Sequence, residues 1–524
     1  MIPTLPKAGE ALTLQRSLPG KYDPLDLYAA LTDGGGRADT MLFETRGQAL
    51  ILERAALRAE CRGLEVTVTA LTHGGRQVLA TIAGELADHV DTASNDEVVL
   101  RFERCTDDDD AVRLAAPSPL DVLRALSVRR MSLSPEEPFA LLAAGIIAFD
   151  HVEMFESLPD GQEDPLGFPN YLFWLAESLV VVQPGGEARI VCAAFGSDDP
   201  AEARRSHGTA MQRLSDLVER CRRPARIADP APADVTVDPE TDLSDTAYAA
   251  VIERAKAHIV AGDVYQIVPS RTFRVPCSDP LGAFARARRI DPSPYMFFVS
   301  AEDQLLFGAS PETSVRVLKK DGAPVVEIKP IAGTRPRGAH ADIDDKLEVD
   351  LRLDDKEMAE HMMLVDLARN DVARVSAPGT RRVARLLSVE RYARVMHLVS
   401  SVQGRLADGF DALTALQAGL NVGTLSGAPK LRATELLRTL EATRRGAYGG
   451  AIGWISGNGE MDTGVVIRSA VVKDGTAYVR AGAGVVFDSD PMKEADESRR
   501  KASAVLSAIA AAEAAIPARQ EAAE

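Results

Sequence analysis

Two pairs of glutamates, each with a three-residue spacing, are the residues whose types and positions most directly suggest chemistry. Glu357 and Glu360 lie in DDKEMAEHMMLVDLARND, and Glu494 and Glu497 lie in KEADESRRKA. Because residues three apart stack on one face of a helix, each pair would present two carboxylates together. One such pair is more often a solvated acidic face, but two pairs offer the oxygen ligands that Mg²⁺ prefers. The sequence therefore predicts a magnesium site in which some carboxylates act through water.

Both pairs lie in segments with helical periodicity. Apolar residues recur at three- and four-residue steps through residues 354–371, which indicates an amphipathic helix. The second segment begins after the loop DSDPM and stays apolar through Val505, Leu506 and Ile509. We therefore expect the glutamates to lie near the N-termini of two amphipathic helices.

Four further side chains are candidates for chemistry, and each has a structural alternative. Glu312, in FGASPET, follows a proline turn, where partial burial would give its carboxyl the raised pKa of a general acid; alternatively it caps a turn. His397 has apolar neighbours, and such a histidine is more often a hydrogen-bonded core residue than a catalyst. Arg468 is predicted to lie on the strand VVIRSAVV, where it could supply fixed positive charge or simply face solvent. Lys501 could supply fixed positive charge as well.

Glycine-rich stretches are predicted to form loops at 330–338, PIAGTRPRG, and at 421–430, NVGTLSGAPK. The second should lead into a helix with Pro429 near its start. It is not a phosphate-binding Walker A loop, because its lysine comes three residues after Gly427, and AGAGVV at 481–486 lacks the third glycine of a dinucleotide motif. These stretches are either ordinary turns or places where backbone N–H groups approach a carboxylate or oxyanion.

The composition is that of a soluble globular protein, with 46% hydrophobic and 26% charged residues in a chain of 524. The net charge of −17 argues against a general nucleic-acid binder. Five scattered cysteines without CxxC spacing suggest neither a zinc site nor a disulfide framework. The N-terminus has no apolar signal sequence and the run at 139–149 is too short to span a bilayer, so a cytoplasmic protein without membrane contact is expected.

A segment rich in proline, alanine and aspartate, RRPARIADPAPADVTVDPETD, is the clearest predicted linker. We expect it to separate an N-terminal region, 1–230, from a second region, 240–512, with a frayed tail at 513–524. Residues 1–37 are predicted as an entry segment with one short helix near 24–31, followed by strands in TMLFET, ALILE and LEVTVTAL. Helices and strands then alternate in a long α+β pattern.

Nine motifs occur in an order typical of the chorismate-utilising enzymes: VYQIVPSR, DPSPYMFF, LLFGASPE, IKPIAGTRPRG, KEMAEHMMLVDLARND, YGGAIGW, TGVVIRSA, AGAGVVFDSDP and EADESRRKA. Over about residues 40–512 the sequence resembles the large subunits of anthranilate synthase, component I. The resemblance implies a large composite α/β sandwich of antiparallel sheets and helices. In that family chorismate loses its 4-hydroxyl as ammonia adds at C2, and pyruvate is then eliminated to give anthranilate, the first step of tryptophan biosynthesis.

The resemblance also implies roles for individual residues. Glu360 and Glu497 match direct Mg²⁺ ligands, and Glu357 and Glu494 match residues that hold metal-bound water. Glu312 matches the acid that protonates the departing hydroxyl, whereas His397 matches the histidine associated with pyruvate elimination. The remaining positions that match substrate-binding residues are Gly333, Thr334, Thr424, Tyr448, Arg468, Gly482, Gly484 and Lys501.

Two positions distinguish members of the family. Water-adding relatives carry lysine, a base for water, where this chain has Gln266, and ammonia needs no such base. Aminodeoxychorismate synthases read PIKGT, whereas this chain reads PIAGT. Ala332 stands in place of that lysine and cannot act as a nucleophile. Alternatives that remain open are an aminodeoxyisochorismate synthase, which stops before pyruvate loss, and an inactive homologue that senses tryptophan. Because no glutaminase Cys-His-Glu set is visible, a separate amidotransferase subunit, component II, is expected to handle glutamine, while this chain uses ammonia.

The N-terminal region resembles the part of the family that binds L-tryptophan as a feedback inhibitor. LFET matches the family's tryptophan-binding strand, with Glu44 expected to pair with the ammonium group and Thr45 to make a hydrogen bond. The apolar pocket around the indole is expected to contain Pro294, Tyr295, Met296 and Trp454. A strand pair holding Tyr295 and Trp454 is the expected link to the active site.

Overall fold

The structure, a computed structural model, describes residues 5–160, 162–222, 224, 227, 238–392 and 395–516. Most of the predicted linker, and residues 517–524 of the predicted tail, lie outside the described residues. None of the described helices combines the length and apolar content that crossing a membrane would require.

Twelve α-helices occur in the described part of the chain, and most begin at a polar capping residue. Asp354 and Asp490, for example, accept hydrogen bonds from backbone N–H groups in the first turns of the helices that carry the glutamate pairs. The helices are α1 (Pro24–Leu31), α2 (His73–Glu85), α3 (Asp110–Ala115), α4 (Leu120–Leu126), α5 (Pro200–Cys221), α6 (Asp245–Val260), α7 (Pro280–Ile290), α8 (Ala341–Leu353), α9 (Asp355–Val375), α10 (Ala412–Gly419), α11 (Lys430–Leu440) and α12 (Pro491–Glu513).

Twenty-five β-strands lie in the same described ranges, and they are rich in β-branched and aromatic residues. In chain order they are β1 (Glu10–Leu18), β2 (Thr40–Thr45), β3 (Ala49–Arg62), β4 (Glu65–Ala70), β5 (Val90–Ala93), β6 (Glu97–Arg101), β7 (Met131–Ser132), β8 (Ala143–Ile147), β9 (Tyr171–Val182), β10 (Ala188–Phe195), β11 (Glu240–Thr241), β12 (Gln266–Ile267), β13 (Ser270–Pro276), β14 (Tyr295–Ser300), β15 (Leu305–Ser310), β16 (Thr313–Lys320), β17 (Ala323–Ile328), β18 (Ile331–Pro336), β19 (Arg382–Arg391), β20 (Val395–Arg405), β21 (Gly427–Ala428), β22 (Ala451–Ile455), β23 (Met461–Val465), β24 (Ser469–Lys473) and β25 (Thr476–Gly482).

Two large sheets share one long antiparallel ribbon, formed by β3 and β9. The first sheet runs β11-β13-β25-β24-β15-β14-β2-β3-β9-β10-β1-β7. The second runs β5-β6-β4-β3-β9-β8-β22-β23-β16-β17-β20-β19, with β18 beside β17 on the same edge of β20. The register of the ribbon shifts repeatedly between Leu52 and Leu57. Such bulges bend strands, which lets the two ends of the ribbon enter different sheets.

The core has three layers that follow this arrangement. Apolar side chains between the two sheets form the central layer, which includes Trp174, Phe297 and Trp454. Helices α1, α5, α7 and α12 pack on the outer face of the first sheet, and α2, α4, α9 and α10 pack on that of the second. Full burial of a large apolar side chain contributes about 1.5–3 kcal/mol to stability, so packing on both faces stabilises both sheets. The predicted α+β sandwich of antiparallel sheets and helices is confirmed.

Strands from both sides of the predicted linker occur in both sheets. In the first sheet β2 pairs with β14, and in the second β8 pairs with β22. The division at 230–240 therefore does not separate the sheets, and it stays a prediction about function.

Two local predictions were wrong. The entry segment at 1–37 contains not only the expected helix but also β1, whose alternating sequence EALTLQRSL pairs with β10. Residues 331–336 of the stretch predicted as a loop form β18 instead. Gly333 adopts a φ of +73° at a register shift between β18 and β20, so the glycine makes a β-bulge rather than a turn.

Candidate active site

Two neighbouring crossovers, where the chain passes from one sheet to the other, form the centre of the candidate site. Between β15 and β16 the chain leaves the first sheet for the second, and between β23 and β24 it returns. The Val465 N–H donates to the carbonyl of Glu312 at 3.0 Å, and the Ala309 N–H donates to the carbonyl of Arg468 at 3.1 Å. These bonds fix Glu312 and Arg468 on adjacent segments.

The Glu312 carboxyl is buried in this crossover and has the properties predicted for a general acid. Burial raises the pKa of Glu312 to about 7, against the opposing effects of a hydrogen bond from Thr424 and the positive charges of Lys501 and Arg468. The Thr424 hydroxyl donates to Oε1 at 2.7 Å. A carboxyl with this pKa is protonated in a substantial fraction of molecules near neutral pH, so it can donate a proton.

Arg468 does not lie on a strand, contrary to the sequence prediction. It lies between β23 and β24 with a φ of +48°, a backbone conformation that is strained for residues other than glycine. The alternation of VVIRSAVV resembled a strand, but the chain changes sheets here. The guanidinium is partly exposed, and its Nη1 pairs with Asp291 at 2.7 Å. Arg468 is therefore a positive charge at the edge of the site rather than a solvent-facing strand residue.

His397 lies on β20 with one ring nitrogen occupied and the other free. Nδ1 lies 3.1 Å from the Gly333 carbonyl and 3.0 Å from the Thr334 hydroxyl. Because a carbonyl only accepts, Nδ1 carries the proton, and Nε2 then has a lone pair. Nε2 is buried and has no hydrogen-bond partner among the described residues. Burial lowers the pKa of His397, so the neutral form, which can accept a proton, is favoured.

The loop 421–430 is tied to a second segment by a short ribbon of β12 and β21. Gln266 pairs with Ala428, which ties the Gln266 segment to the loop that carries Thr424. Gly427 has a φ of +137°, and a Cβ there would lie 2.2 Å from the Gln266 carbonyl, so only glycine permits this pairing. The loop leads into α11 after Pro429, as predicted.

Tyr448, Gly482, Gly484 and Lys501 lie together near the end of β25. Burial raises the pKa of Tyr448 to about 12, and the Gly482 backbone lowers it slightly through a hydrogen bond. Lys501 of α12 donates to the Gly482 carbonyl at 3.1 Å. A Cβ at Gly484 would lie 2.7 Å from Nε2 of Gln266, so the missing side chain makes room for that amide. The structure thus brings the predicted substrate-binding residues of three segments to one place.

The two glutamate pairs lie near the N-termini of α9 and α12, as predicted, with Glu357 and Glu494 in the first turns and Glu360 and Glu497 in the second, and they influence one another. Burial raises the pKa of Glu360, and the negative charges of Glu357, Glu494 and Glu497 raise it further, against the opposing charge of a nearby lysine. Mutual repulsion of this kind would be relieved by a cation. The donor set of carboxylate oxygens fits a hard ion such as Mg²⁺.

Two of these carboxylates, those of Glu360 and Glu497, pair with lysines. Lys356 lies 3.7 Å from Glu360, and Lys501 lies 2.8 Å from Glu497. Over the described residues no three histidine, cysteine, aspartate or glutamate side chains are grouped closely enough to hold a metal ion. The four carboxylates therefore influence one another electrostatically without forming a closed ligand cage.

The predicted tryptophan-binding residues are divided between two faces of the first sheet. Thr45 pairs with Tyr295, and Glu44 pairs with Met296, in the register of β2 against β14. Because directly opposite residues share a face and successive residues alternate, the two pairs point in opposite directions. The expected strand pair of Tyr295 and Trp454 was wrong, because β14 pairs with β2 and β15 whereas β22 pairs with β8 and β23.

A cavity of about 510 Å³ lies on the face of Thr45 and Tyr295. Pro294 and Trp454 also line it, whereas Glu44 and Met296 do not. Glu44 instead accepts from Arg288 at 2.8 Å on the α7 side, and its Oε1 is buried without a hydrogen-bond partner in the described ranges. The Thr45 hydroxyl closes its own turn by donating to the Gln48 carbonyl at 3.0 Å.

Sequence reasoning missed a buried ion cluster beneath the site, formed by Glu441, Arg445 and Arg480. The i,i+4 spacing of Glu441 and Arg445 was the available signal. This signal is not specific, because exposed helical pairs have the same spacing and burial cannot be read from it.

Comparison with known proteins supports a common origin for the whole arrangement. Residues 77–507 match the protein family described as chorismate binding enzyme. Anthranilate synthase component 1 from Vibrio cholerae serotype O1 is 43% identical over 513 residues, which cover 95% of this chain and 96% of that protein. The protein of the same name from Escherichia coli is 43% identical over 499 residues, covering 91% and 93%.

Solved structures of related enzymes have a similar fold. Anthranilate synthase component I from Streptococcus pneumoniae aligns with a TM-score of 0.69 at 30% identity, covering 88% of this chain and 92% of that one. The menaquinone-specific isochorismate synthase from Escherichia coli aligns with a TM-score of 0.65 at 18% identity, covering 97% and 96%. The second likeness concerns the fold alone.

Proposed function

The chain belongs to the family of chorismate-binding enzymes, and we propose that it acts as an anthranilate synthase large subunit. It converts chorismate and ammonia into anthranilate, pyruvate and water. The observation that carries this proposal is the buried Glu312 carboxyl, with a pKa of about 7 and the Thr424 hydroxyl on it. The reaction needs a proton donor for a poor leaving group, and this carboxyl is suited to that task.

In the first step ammonia forms a bond to C2 as the double bonds shift and the C4–O bond breaks. Glu312 gives its proton to the departing hydroxyl, which leaves as water. Chorismate is a dianion, and its negative charge near Glu312 would raise the pKa of the carboxyl further. Substrate binding therefore favours the protonated form that the step requires.

In the second step the proton on C2 is removed and the bond from C3 to the enolpyruvyl oxygen breaks. The free Nε2 of His397 supplies the base, since Nδ1 is held in its protonated form by the Gly333 carbonyl. The expelled enolpyruvate takes up a proton at its methylene carbon to give pyruvate, and the ring becomes aromatic. This free base favours anthranilate over aminodeoxyisochorismate, the alternative product, as the end point.

Binding of a dianion to a protein of net charge −17 needs local positive charge. Arg468 and Lys501 supply it, since both act on the pKa of Glu312 and so lie near the reacting centre. Mg²⁺ would be held directly by Glu360 and Glu497, and through water by Glu357 and Glu494. When bound, it supplies positive charge to the ring carboxylate of chorismate.

Ammonia is the nitrogen donor of this chain alone, and a component II amidotransferase would supply it from glutamine. A glutaminase needs a reactive thiolate. Burial raises the pKa of Cys192, Cys221 and Cys277 to about 12, and that of Cys61 still higher. Cys105, the fifth cysteine, does not lie in a motif of a nucleophilic cysteine. Gln266 cannot act as a base, which disfavours water as the nucleophile.

The proposal is tested by incubating the purified chain with chorismate, Mg²⁺ and either ammonium or glutamine. Anthranilate fluorescence should appear with ammonium and not with glutamine. Glu312→Gln should reduce the rate at least about 100-fold, because it removes the proton donor while preserving shape. Isochorismate or aminodeoxyisochorismate as the sole product, or anthranilate from glutamine without a partner, would overturn it.

A further inference from the structure

Arg445 is a buried arginine whose guanidinium connects separate segments of the candidate site. It is 3% exposed and pairs with Glu441 through Nε at 2.9 Å and Nη2 at 2.7 Å. Nη1 donates to the Leu425 carbonyl at 2.6 Å, and Nη2 donates to the Val268 carbonyl at 2.6 Å. One side chain thus binds a helix end and two loop backbones.

Each of these contacts is adjacent to a residue of the site. Leu425 directly follows Thr424, and Val268 follows Gln266 by two residues. The guanidinium carbon also lies 5.7 Å from the centre of the Tyr448 ring. Arg445 itself is enclosed beneath these segments, so its effect on the reaction must pass through them.

We propose that Arg445 is a positioning residue that holds the Thr424 loop, the Gln266 segment and Tyr448 in register. Its main consequence is the placement of the Thr424 hydroxyl on Glu312. The proposal deepens the proposed function and rests on it only where catalytic rates are used as the readout.

The geometry requires arginine rather than lysine. A guanidinium offers five donors in a planar fork, so it can satisfy a carboxylate and two carbonyls at once, whereas an ammonium is a point charge with three. Although burial alone would raise it, the pKa of Glu441 lies below its ordinary value because Arg445 and Arg480 stabilise the carboxylate. Arg445→Lys therefore keeps the charge and loses part of the fork.

Arg480 provides a matched control within the same cluster. It pairs with Glu441 at 2.9 Å and is also buried. Its remaining bonds go to Ser270 and to Thr443 and Arg444, none of which belongs to the predicted site. Arg480→Lys makes the same chemical change on the same carboxylate without releasing the Thr424 loop.

The experiment compares Arg445→Lys, Arg480→Lys and Thr424→Val in the full chain. We expect Arg445→Lys to lower kcat roughly 10–100-fold, since small displacements of catalytic groups have effects of this size. It should also move the alkaline limb of kcat/KM upward by several tenths of a pH unit, because a hydrogen bond to the carboxylate lowers the pKa of Glu312. Thr424→Val should give the same shift, and Arg480→Lys should give neither effect even if the melting temperature falls equally.

A second measurement does not depend on activity. The pKa of Glu312 can be read from the pH dependence of unfolding, taken as the difference between each protein and its Glu312→Gln counterpart. Arg445→Lys should raise this pKa, while Lys501 and Arg468, the charged groups that act on Glu312, remain unchanged. If the wild-type chain makes no anthranilate, the proposed function fails, but this measurement still decides the role of Arg445.

Glu441→Gln covers the case in which Arg445→Lys does not fold. It weakens the anchor of the guanidinium but leaves the arginine in place, so a smaller shift in the same direction is expected. Unchanged kcat and an unchanged Glu312 pKa in the folded variants, or equal effects in Arg480→Lys, would overturn the proposal.

Discussion

At the scale of single residues, Glu312 combines a chemical role with a cost in stability. Burial holds its pKa at about 7, compared with an ordinary value of 4.5. The folded protein therefore binds this proton more tightly than the unfolded chain does. The resulting stability is fully present below the ordinary pKa and is lost as the pH rises to about 7.

Glu312→Gln should remove this loss of stability at rising pH. A shift of this size corresponds to about 3 kcal/mol. The free energy of unfolding of the variant, relative to wild type, should therefore rise by up to about 3 kcal/mol between pH 5 and pH 8, measured by chemical denaturation. Glu219→Gln, at a largely exposed glutamate, should show no such rise. A constant difference between Glu312→Gln and wild type across this range would show that the carboxyl is not buried in its neutral form.

The identities of the site residues could be predicted from the sequence, but their states could not. Motifs identify Glu312 and His397 as candidate catalytic residues, but each also has a structural alternative. Whether each residue is catalytic or structural depends on its contacts with the Thr424 hydroxyl and the Gly333 carbonyl, which come from distant segments. Such contacts are fixed by tertiary packing, so no local pattern contains them.

At the scale of elements, long periodic helices were predictable and sheet crossovers were not. The amphipathic pattern of residues 354–371 gave α9, and the helix after DSDPM is α12. The residues on either side of Arg468 alternate as a strand does, so local sequence predicts a strand there, and glycine also marks turns, so it predicts a loop at Gly333. A change of sheet and a bulge both depend on the partner strand, which local sequence does not identify.

The glutamate pairs near the N-termini of α9 and α12 lead to a prediction about metal binding. Glu360→Gln or Glu497→Gln should abolish Mg²⁺-dependent turnover and weaken Mg²⁺ binding in calorimetry, since each removes a proposed direct ligand. The fold should stay intact, because the first turns of both helices are capped by Asp354 and Asp490 rather than by these glutamates.

Asp366→Asn is the control for this experiment. Asp366 lies on α9, but its side chain is 77% exposed and pairs locally with Arg369. Removal of its charge should leave Mg²⁺ affinity nearly unchanged. Normal turnover in Glu360→Gln, or full wild-type activity in EDTA, would contradict the assignment of the glutamates.

At the scale of the whole molecule, the two regions of the sequence are joined by shared strands. The predicted linker suggested a boundary, but β2 of the first region and β14 of the second are paired. The pairing could not be read from the sequence because the two strands are about 250 residues apart, with a large choice of partners between them. A ligand that moves β2 must therefore also act on β14 and on β15 beyond it, which leads to Glu312.

L-Tryptophan is expected to use this connection as a feedback inhibitor, with Glu44 as its ammonium partner. Burial raises the pKa of Glu44, and its Oε1 is a buried acceptor without a partner among the described residues. An ammonium group would satisfy that oxygen and stabilise the charged carboxylate. Glu44→Ala should therefore remove most tryptophan inhibition while leaving uninhibited turnover almost unchanged, as measured by anthranilate formation over a tryptophan series.

Tyr295 provides the link from this strand to the active site, and it distinguishes binding from coupling. Its hydroxyl lies 3.0 Å from that of Thr313, the neighbour of Glu312, and donates to Asp462 of the other sheet at 2.8 Å. Inhibition requires that tryptophan favour a conformation that binds chorismate less well, and coupling of about 1–3 kcal/mol would weaken chorismate binding roughly 5–150-fold. Tyr295→Phe should keep tryptophan binding in calorimetry but reduce this factor, whereas Glu44→Ala should lose the binding itself. If Glu44→Ala stays fully sensitive, or if Tyr295→Phe retains the whole coupling, inhibition does not pass from Glu44 through the paired strands to Glu312.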